Sequence, residues 1–155
     1  MDPEFAEIMR GVVAKFEELI AAPLMTYPVT NAVLSGPGVY VFYDAGVARY
    51  VGRANNLHQR LKQHQADGSK HNQAGFAARI AKEKCGIVRS YALARTDPLH
   101  FSNNQEFHRA FMSAKIAVRG MQFRFVQESD NTRQALLEIY AATVLKTAGN
   151  EFDNH

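Results

Sequence analysis

Tryptophan is absent from the 155 residues, and cysteine occurs once. A single thiol, Cys85, excludes an internal disulfide and any paired-cysteine zinc knuckle, and it reads as simply packed. Low cysteine usage suits a reducing compartment. No apolar run is long enough to span a bilayer and no secretory leader is visible, so a soluble, cytoplasmic protein is expected. The histidines lack ligand spacing. His58 and His64 cannot share a helical face, and His71, His100 and His108 form no zinc pattern. Gly36-Pro37-Gly38 is not a phosphate loop, because no Gly-Lys-Ser/Thr follows; it reads as a turn leading into a strand. Repeats, low-complexity tracts and long linkers are missing too.

What is present suits one domain with its own core, since 46% of the residues are apolar. The net charge is only +3, but it is unevenly spread. Residues 49–95 hold ten Lys and Arg against Asp67 and Glu83, whereas residues 128–155 hold five acids against Arg133 and Lys146. A basic middle of this kind points to a polyanion or to a merely solvated face.

Apolar periodicity predicts a helix over 6–22, through Ile8, Val12, Phe16, Leu19 and Ile20. Residues 1–5, MDPEF, read as a cloning scar and are set apart, leaving 6–37 as helix and connector. Strands are expected at 38–43, 47–53, 86–94 and 121–127. Helices are expected from Asn55 or Asn56 to about 65, over 72–84, over 103–118 and over 132–147. The last begins at Asp130 or Asn131, with Gln134 placed for a capping box. The mixture gives an α+β class.

Three local features carry chemistry. First, Asp44-Ala45-Gly46 suits a three-residue hairpin loop with Gly46 left-handed, which pairs Tyr40 directly with Tyr50 on one face. Strand tyrosines often simply pack, but Gly52 inside a strand marks a close approach by backbone or ligand. Second, Arg60 and His64 share a helical face beside the apolar stripe of Leu57 and Leu61. An arginine there either pairs within the protein or grips a phosphate, and His64 is either a surface histidine or a proton carrier. Third, Glu138 is the one charge in ALLEIYAATVL (135–145). A carboxylate among apolar neighbours needs an arginine or a divalent cation, or it takes up a proton. One carboxylate with water and phosphate oxygens suits Mg²⁺.

Taken in order, Gly38-Val39-Tyr40, Tyr50-Val51-Gly52, the basic RANNLHQRLKQH, ALLE and a late asparagine resemble the GIY-YIG nuclease superfamily over roughly 38–155. Val replaces Ile in both tripeptides, and 67–120 is longer and more helical than a minimal family core. The resemblance implies a small, mostly antiparallel sheet with a three-stranded core, flanked by helices. It also implies a divalent-metal-dependent DNA endonuclease, with Mg²⁺ or Mn²⁺, leaving a 5′-phosphate and a 3′-hydroxyl. Under it, Tyr40 and Tyr50 are the active-site tyrosines, Arg60 binds phosphate, His64 is a secondary proton carrier and Glu138 is the metal ligand. Arg53 and Asn55 would contact substrate, as would Asn150, which spacing from Glu138 favours over Asn154. A Tyr40 general base would need Arg53 or Arg60 to lower its pKa from about 10. A non-catalytic nucleic-acid-binding module using the basic 49–95 surface is the alternative. A third reading has Arg60 and Glu138 as a buried ion pair in a structural domain. The first helix is left either to pack on the core or to pair with a second copy, and repair, restriction, recombination and mobile-element defence all stay open as the setting.

Overall fold

The computed structural model describes residues 1–87, 104–147 and 150. These fall into two compact units, one drawn from 1–62 and 120–155, the other from 63–119. The first unit holds a three-stranded antiparallel sheet of β1 (Gly38–Asp44), β2 (Val47–Ala54) and β3 (Gln122–Gln127), in the order β2-β1-β3. It also holds α1 (Pro3–Ala21) and α5 (Asn131–Leu145). The chain is therefore α+β with a small antiparallel sheet, as expected from its sequence.

Strand alternation sorts the sheet residues into two faces. Val39, Val41, Tyr43, Val51 and Val126 form one core cluster with Val12, Phe16 and Leu19 of α1 and Leu137, Ala141 and Ala142 of α5. Phe16 meets the Tyr140 ring edge-on at 5.2 Å. The first helix thus packs on the core through the face predicted for it. Its start differs from the expectation. Pro3 occupies the first helical turn and the Asp2 carboxylate accepts from Phe5 N–H at 2.9 Å, so the residues set aside as a scar begin the helix.

The β1–β2 hairpin also departs from expectation. Its turn has two residues, Ala45 and Gly46, both with positive φ (48° and 79°), the pattern that matches strand twist in tight hairpins. Asp44 pairs with Val47 and Tyr43 with Ala48, but Phe42 pairs with Tyr50, so Arg49 is the extra residue of a β-bulge. Tyr40 consequently lies opposite Gly52 rather than Tyr50. The two tyrosines still share a face, as diagonal neighbours.

α5 is capped by Asp130, whose carboxylate accepts from Arg133 N–H at 2.8 Å. Gln134 is buried and donates to the Glu128 carbonyl at 2.7 Å instead of closing a capping box. α2 (Leu57–Gln65) begins in the first unit under an Asn56 cap, which accepts from Gln59 N–H at 3.0 Å. Its C-terminal residues open the second unit.

That second unit pairs α3 (Gly75–Lys84) with α4 (Gln105–Arg119). Phe76, Ala77, Ala78 and Ala81 are buried on α3, and Phe107, Ala110, Phe111, Ala114 and Val118 on α4. α4 also anchors the chain that follows α2. The Lys115 ammonium donates to the carbonyls of Asp67 (2.5 Å) and Ser69 (3.0 Å), and Arg119 donates to the Gln65 carbonyl (3.0 Å) and pairs with Asp67. Those carbonyls are what make a buried lysine tolerable. Burial nevertheless lowers the Lys115 pKa. α3 ends at left-handed Gly86, and the strand expected over 86–94 lies outside the described residues from position 88 onward. Among the described residues no helix is long and apolar enough to cross a membrane.

Candidate active site

The sheet face opposite the α1–α5 core is aromatic. Tyr40 and Phe42 stand on it from the central strand, Tyr50 and Gly52 from β2, and Phe123 from β3. Phe42 meets Tyr40 edge-on at 5.8 Å and Phe123 at 6.1 Å. The Tyr40 and Tyr50 rings are 6.3 Å apart and tilted by 42°. Tyr40 is 1% exposed, whereas Tyr50 is only half-buried.

Gly52 explains how so large a ring fits. A Cβ on Gly52 would lie 2.3 Å from both Cζ and Oη of Tyr40. The missing side chain is the seat of the Tyr40 phenol. The close approach that a strand glycine signals is therefore made by the protein's own tyrosine. Gly38 answers a different need, since a Cβ there would meet the Val126 carbonyl oxygen at 2.1 Å and Leu57 Cδ1 at 2.7 Å. It lets the start of α2 lie against the sheet, with Leu57 N–H donating to the Gly36 carbonyl at 2.9 Å.

From α2, the Arg60 guanidinium donates a hydrogen bond to the Tyr40 hydroxyl. The cation and this bond pull the Tyr40 pKa down, but burial and the neighbouring Tyr50 push harder, and the result lies well above the ordinary value of 10.0. Arg60 thus pulls in the direction a Tyr40 base would need, but desolvation of the phenolate outweighs it and the net shift is upward. Tyr40 is a neutral hydroxyl at physiological pH. It can accept from Arg60 and donate its own proton onward.

Glu138 projects from α5 toward β2, where its carboxylate accepts from Arg53 Nε at 3.0 Å. The pair differs from the Arg60–Glu138 pairing that sequence reasoning entertained. Glu138 is 21% exposed at its side chain and Arg53 46%. Burial raises the Glu138 pKa above 4.5, and Arg53 opposes that only in part. Glu138 is therefore a carboxylate with a desolvation deficit and an accessible edge. A bound cation would remove that deficit, so the residue fits a single-carboxylate site for a divalent ion. Among the described residues no group of three or more His, Cys, Asp and Glu could hold a metal.

Asn150 is half-buried and has a definite task. Its side-chain oxygen accepts from Val51 N–H and its amide donates to the Val51 carbonyl, both at 2.7 Å, while Thr147 Oγ1 donates to the same oxygen at 2.8 Å. Val51 belongs to the edge strand β2, between Tyr50 and Gly52. Asn150 thus supplies the pairing a fourth strand would have given, and holds the segment that carries both residues. This side-chain pairing to the strand is a task that spacing from Glu138 could not reveal. Asn154 lies outside the described residues. Asn55 is exposed beside the capping Asn56. His64 is fully buried and lies in the second unit.

Tyr40, Tyr50, Arg53, Arg60 and Glu138 all belong to the first unit. Residues 36–97 match the GIY-YIG catalytic domain family. No curated protein matches the sequence. Two solved structures align over 97% of this chain and 99% of theirs, at 14% identity and a TM-score of 0.38. Both are of the GIY-YIG N-terminal endonuclease domain of UvrC from Thermotoga maritima, as tyrosine-to-phenylalanine point mutants bound to its catalytic divalent cation. A likeness at that level does not by itself establish a shared fold. Residues 36–97, which hold both tyrosine motifs and the basic helix, thus match a GIY-YIG catalytic domain.

Proposed function

We propose that this protein is a divalent-metal-dependent endonuclease that hydrolyses phosphodiester bonds in DNA and leaves a 5′-phosphate and a 3′-hydroxyl. The observation that carries the reading is the Arg60–Tyr40 hydrogen bond beside Tyr50, with Glu138 part-buried and electrostatically underserved near the same strand. Hydrolysis needs an oriented water, neutralised charge at phosphorus and help for the leaving oxygen.

Arg60 presents parallel N–H groups that suit a phosphate oxygen pair, and it stabilises the charge that develops there. Tyr40, held neutral, orients the attacking water through its hydroxyl and keeps Arg60 in position. Its proton leaves only when charge at the site has changed, because burial holds its pKa high. Tyr50, half-buried, reaches water or phosphate with its own hydroxyl. Arg53 balances Glu138 in the resting protein and can turn to phosphate when that carboxylate finds another partner. A divalent cation held by Glu138 would supply Lewis-acid stabilisation at the scissile phosphate or leaving oxygen. Mg²⁺ and Mn²⁺ both suit an oxygen shell of this type.

The test is incubation with supercoiled plasmid and a panel of branched DNAs in Mg²⁺, Mn²⁺ or EDTA, beside Arg60→Ala. Cutting that needs metal and falls by about 100-fold or more in the variant is expected from loss of a transition-state contact. DNA retention without cutting in any metal would replace the nuclease by the binding module.

A further inference from the structure

The β1–β2 hairpin contains one residue more than its register requires. The two-residue turn sets Tyr43 against Ala48, and the active-site face sets Phe42 against Tyr50. A chain lacking residue 49 would join those two pairs in a regular ladder. Both tyrosines would keep the same face. The bulge therefore adds a residue without being needed to orient Tyr50, and the residue it adds is an arginine.

Arg49 is exposed and makes no ion pair or hydrogen bond through its side chain among the described residues. It contrasts with Arg53 on the same strand, which is tied to Glu138. It also contrasts with Arg124 on β3, which donates to the Ala22 carbonyl at 2.7 Å and lies over the Tyr43 ring. Among the described residues β2 is an edge strand, and no further strand pairs with it beside Arg49. Bulges at edges twist the strand locally and re-aim a side chain out of the alternation.

We propose that Arg49 is a substrate-binding residue that grips a DNA phosphate flanking the scissile one, making the β2 edge a phosphate rail on which Arg49 and Arg53 bracket Tyr50. The inference rests on the nuclease reading above. Four strand residues rise about 13 Å, so the two arginines address different phosphates. The contact is to the backbone, so it positions DNA without reading its sequence.

The experiment measures duplex DNA binding in EDTA, where cutting is prevented, as a function of salt. Each phosphate neutralised contributes about 0.9 to the slope of log affinity against log salt on duplex DNA. Arg49→Ala should lower that slope by about 0.9, and deletion of Arg49 should do the same with the fold retained by circular dichroism. Arg49→Lys should keep the slope. Arg10→Ala, on α1 and away from the site, should leave it unchanged. An unchanged slope in Arg49→Ala, in a protein that still cuts plasmid, overturns the phosphate rail alone. Absence of any DNA affinity in the unaltered protein, together with absence of cutting, overturns the rail and the nuclease reading together.

Discussion

The two faces of the sheet in the first unit are built from the same three strands and obey different rules. On the α1–α5 side, Val39, Val41, Val51 and Val126 are nearly or wholly buried among apolar partners, and stability is their whole business. On the other side, a phenol is buried without sharing in that core, a glycine replaces a strand side chain beneath it, and an arginine is bonded to the phenol. Each of those features weakens a sheet when taken alone: glycine lowers strand propensity, and burying a hydroxyl demands a partner. Together they hold one oxygen in one place. The first face maximises packing, and the second fixes a polar group at the expense of packing.

The contrast is broken most severely at Gly52. Gly52→Ala puts a methyl group 2.3 Å from the Tyr40 Cζ and Oη, and the ring must move by more than an ångström. Displacement of that size in a catalytic constellation is worth about 100-fold in rate, so plasmid cleavage should fall by at least that much. Leu19→Ala attacks the opposite face. Leu19 is fully buried on α1, and its truncation should lower stability by about 2–5 kcal/mol in urea titration while the rate per folded molecule holds. Equal losses of rate in the two variants would erase the distinction between the faces. Asn150→Ala sits between these extremes. It strips two hydrogen bonds from Val51 on the edge strand, and an unsatisfied buried backbone group costs about 1–3 kcal/mol. Both stability and cleavage should drop, because the loosened segment carries Tyr50 and Gly52.

The packing face was readable in the sequence because apolar periodicity encodes it directly: Val12, Phe16 and Leu19 recur at helical spacing, and all three are buried. The candidate site residues stand out as a motif, from Tyr40 through Glu138. Their contacts do not. The hairpin register failed because a single turn residue, Ala45, adopts positive φ where glycine or asparagine is usual, and because a bulge takes up Arg49 as an unpaired residue. The partner of Glu138 turned on how α5 lies against β2, which sequence spacing does not specify. The Tyr40 pKa turned on burial at 1% exposure, which outweighs the Arg60 cation. The pairing of Asn150 with Val51 was not readable, since side-chain pairing to a strand edge leaves no mark in spacing.

The central claim is that Glu138 is kept for a cation and against stability. Its pKa is raised in the folded protein, so its contribution to stability is full when it is protonated and is lost as pH rises through the folded value. At neutral pH the charged carboxylate is a liability that Arg53 relieves only in part. The decisive measurement is Glu138→Gln, followed by thermal melting in EDTA across pH and by plasmid cleavage in Mg²⁺. The variant should melt higher than the unaltered protein at pH 7–8, lose that advantage as pH falls below the ordinary carboxylate value of 4.5, and cut no DNA. A lower melting temperature at neutral pH, or cleavage that survives the substitution, would make Glu138 a structural partner of Arg53 and contradict the account.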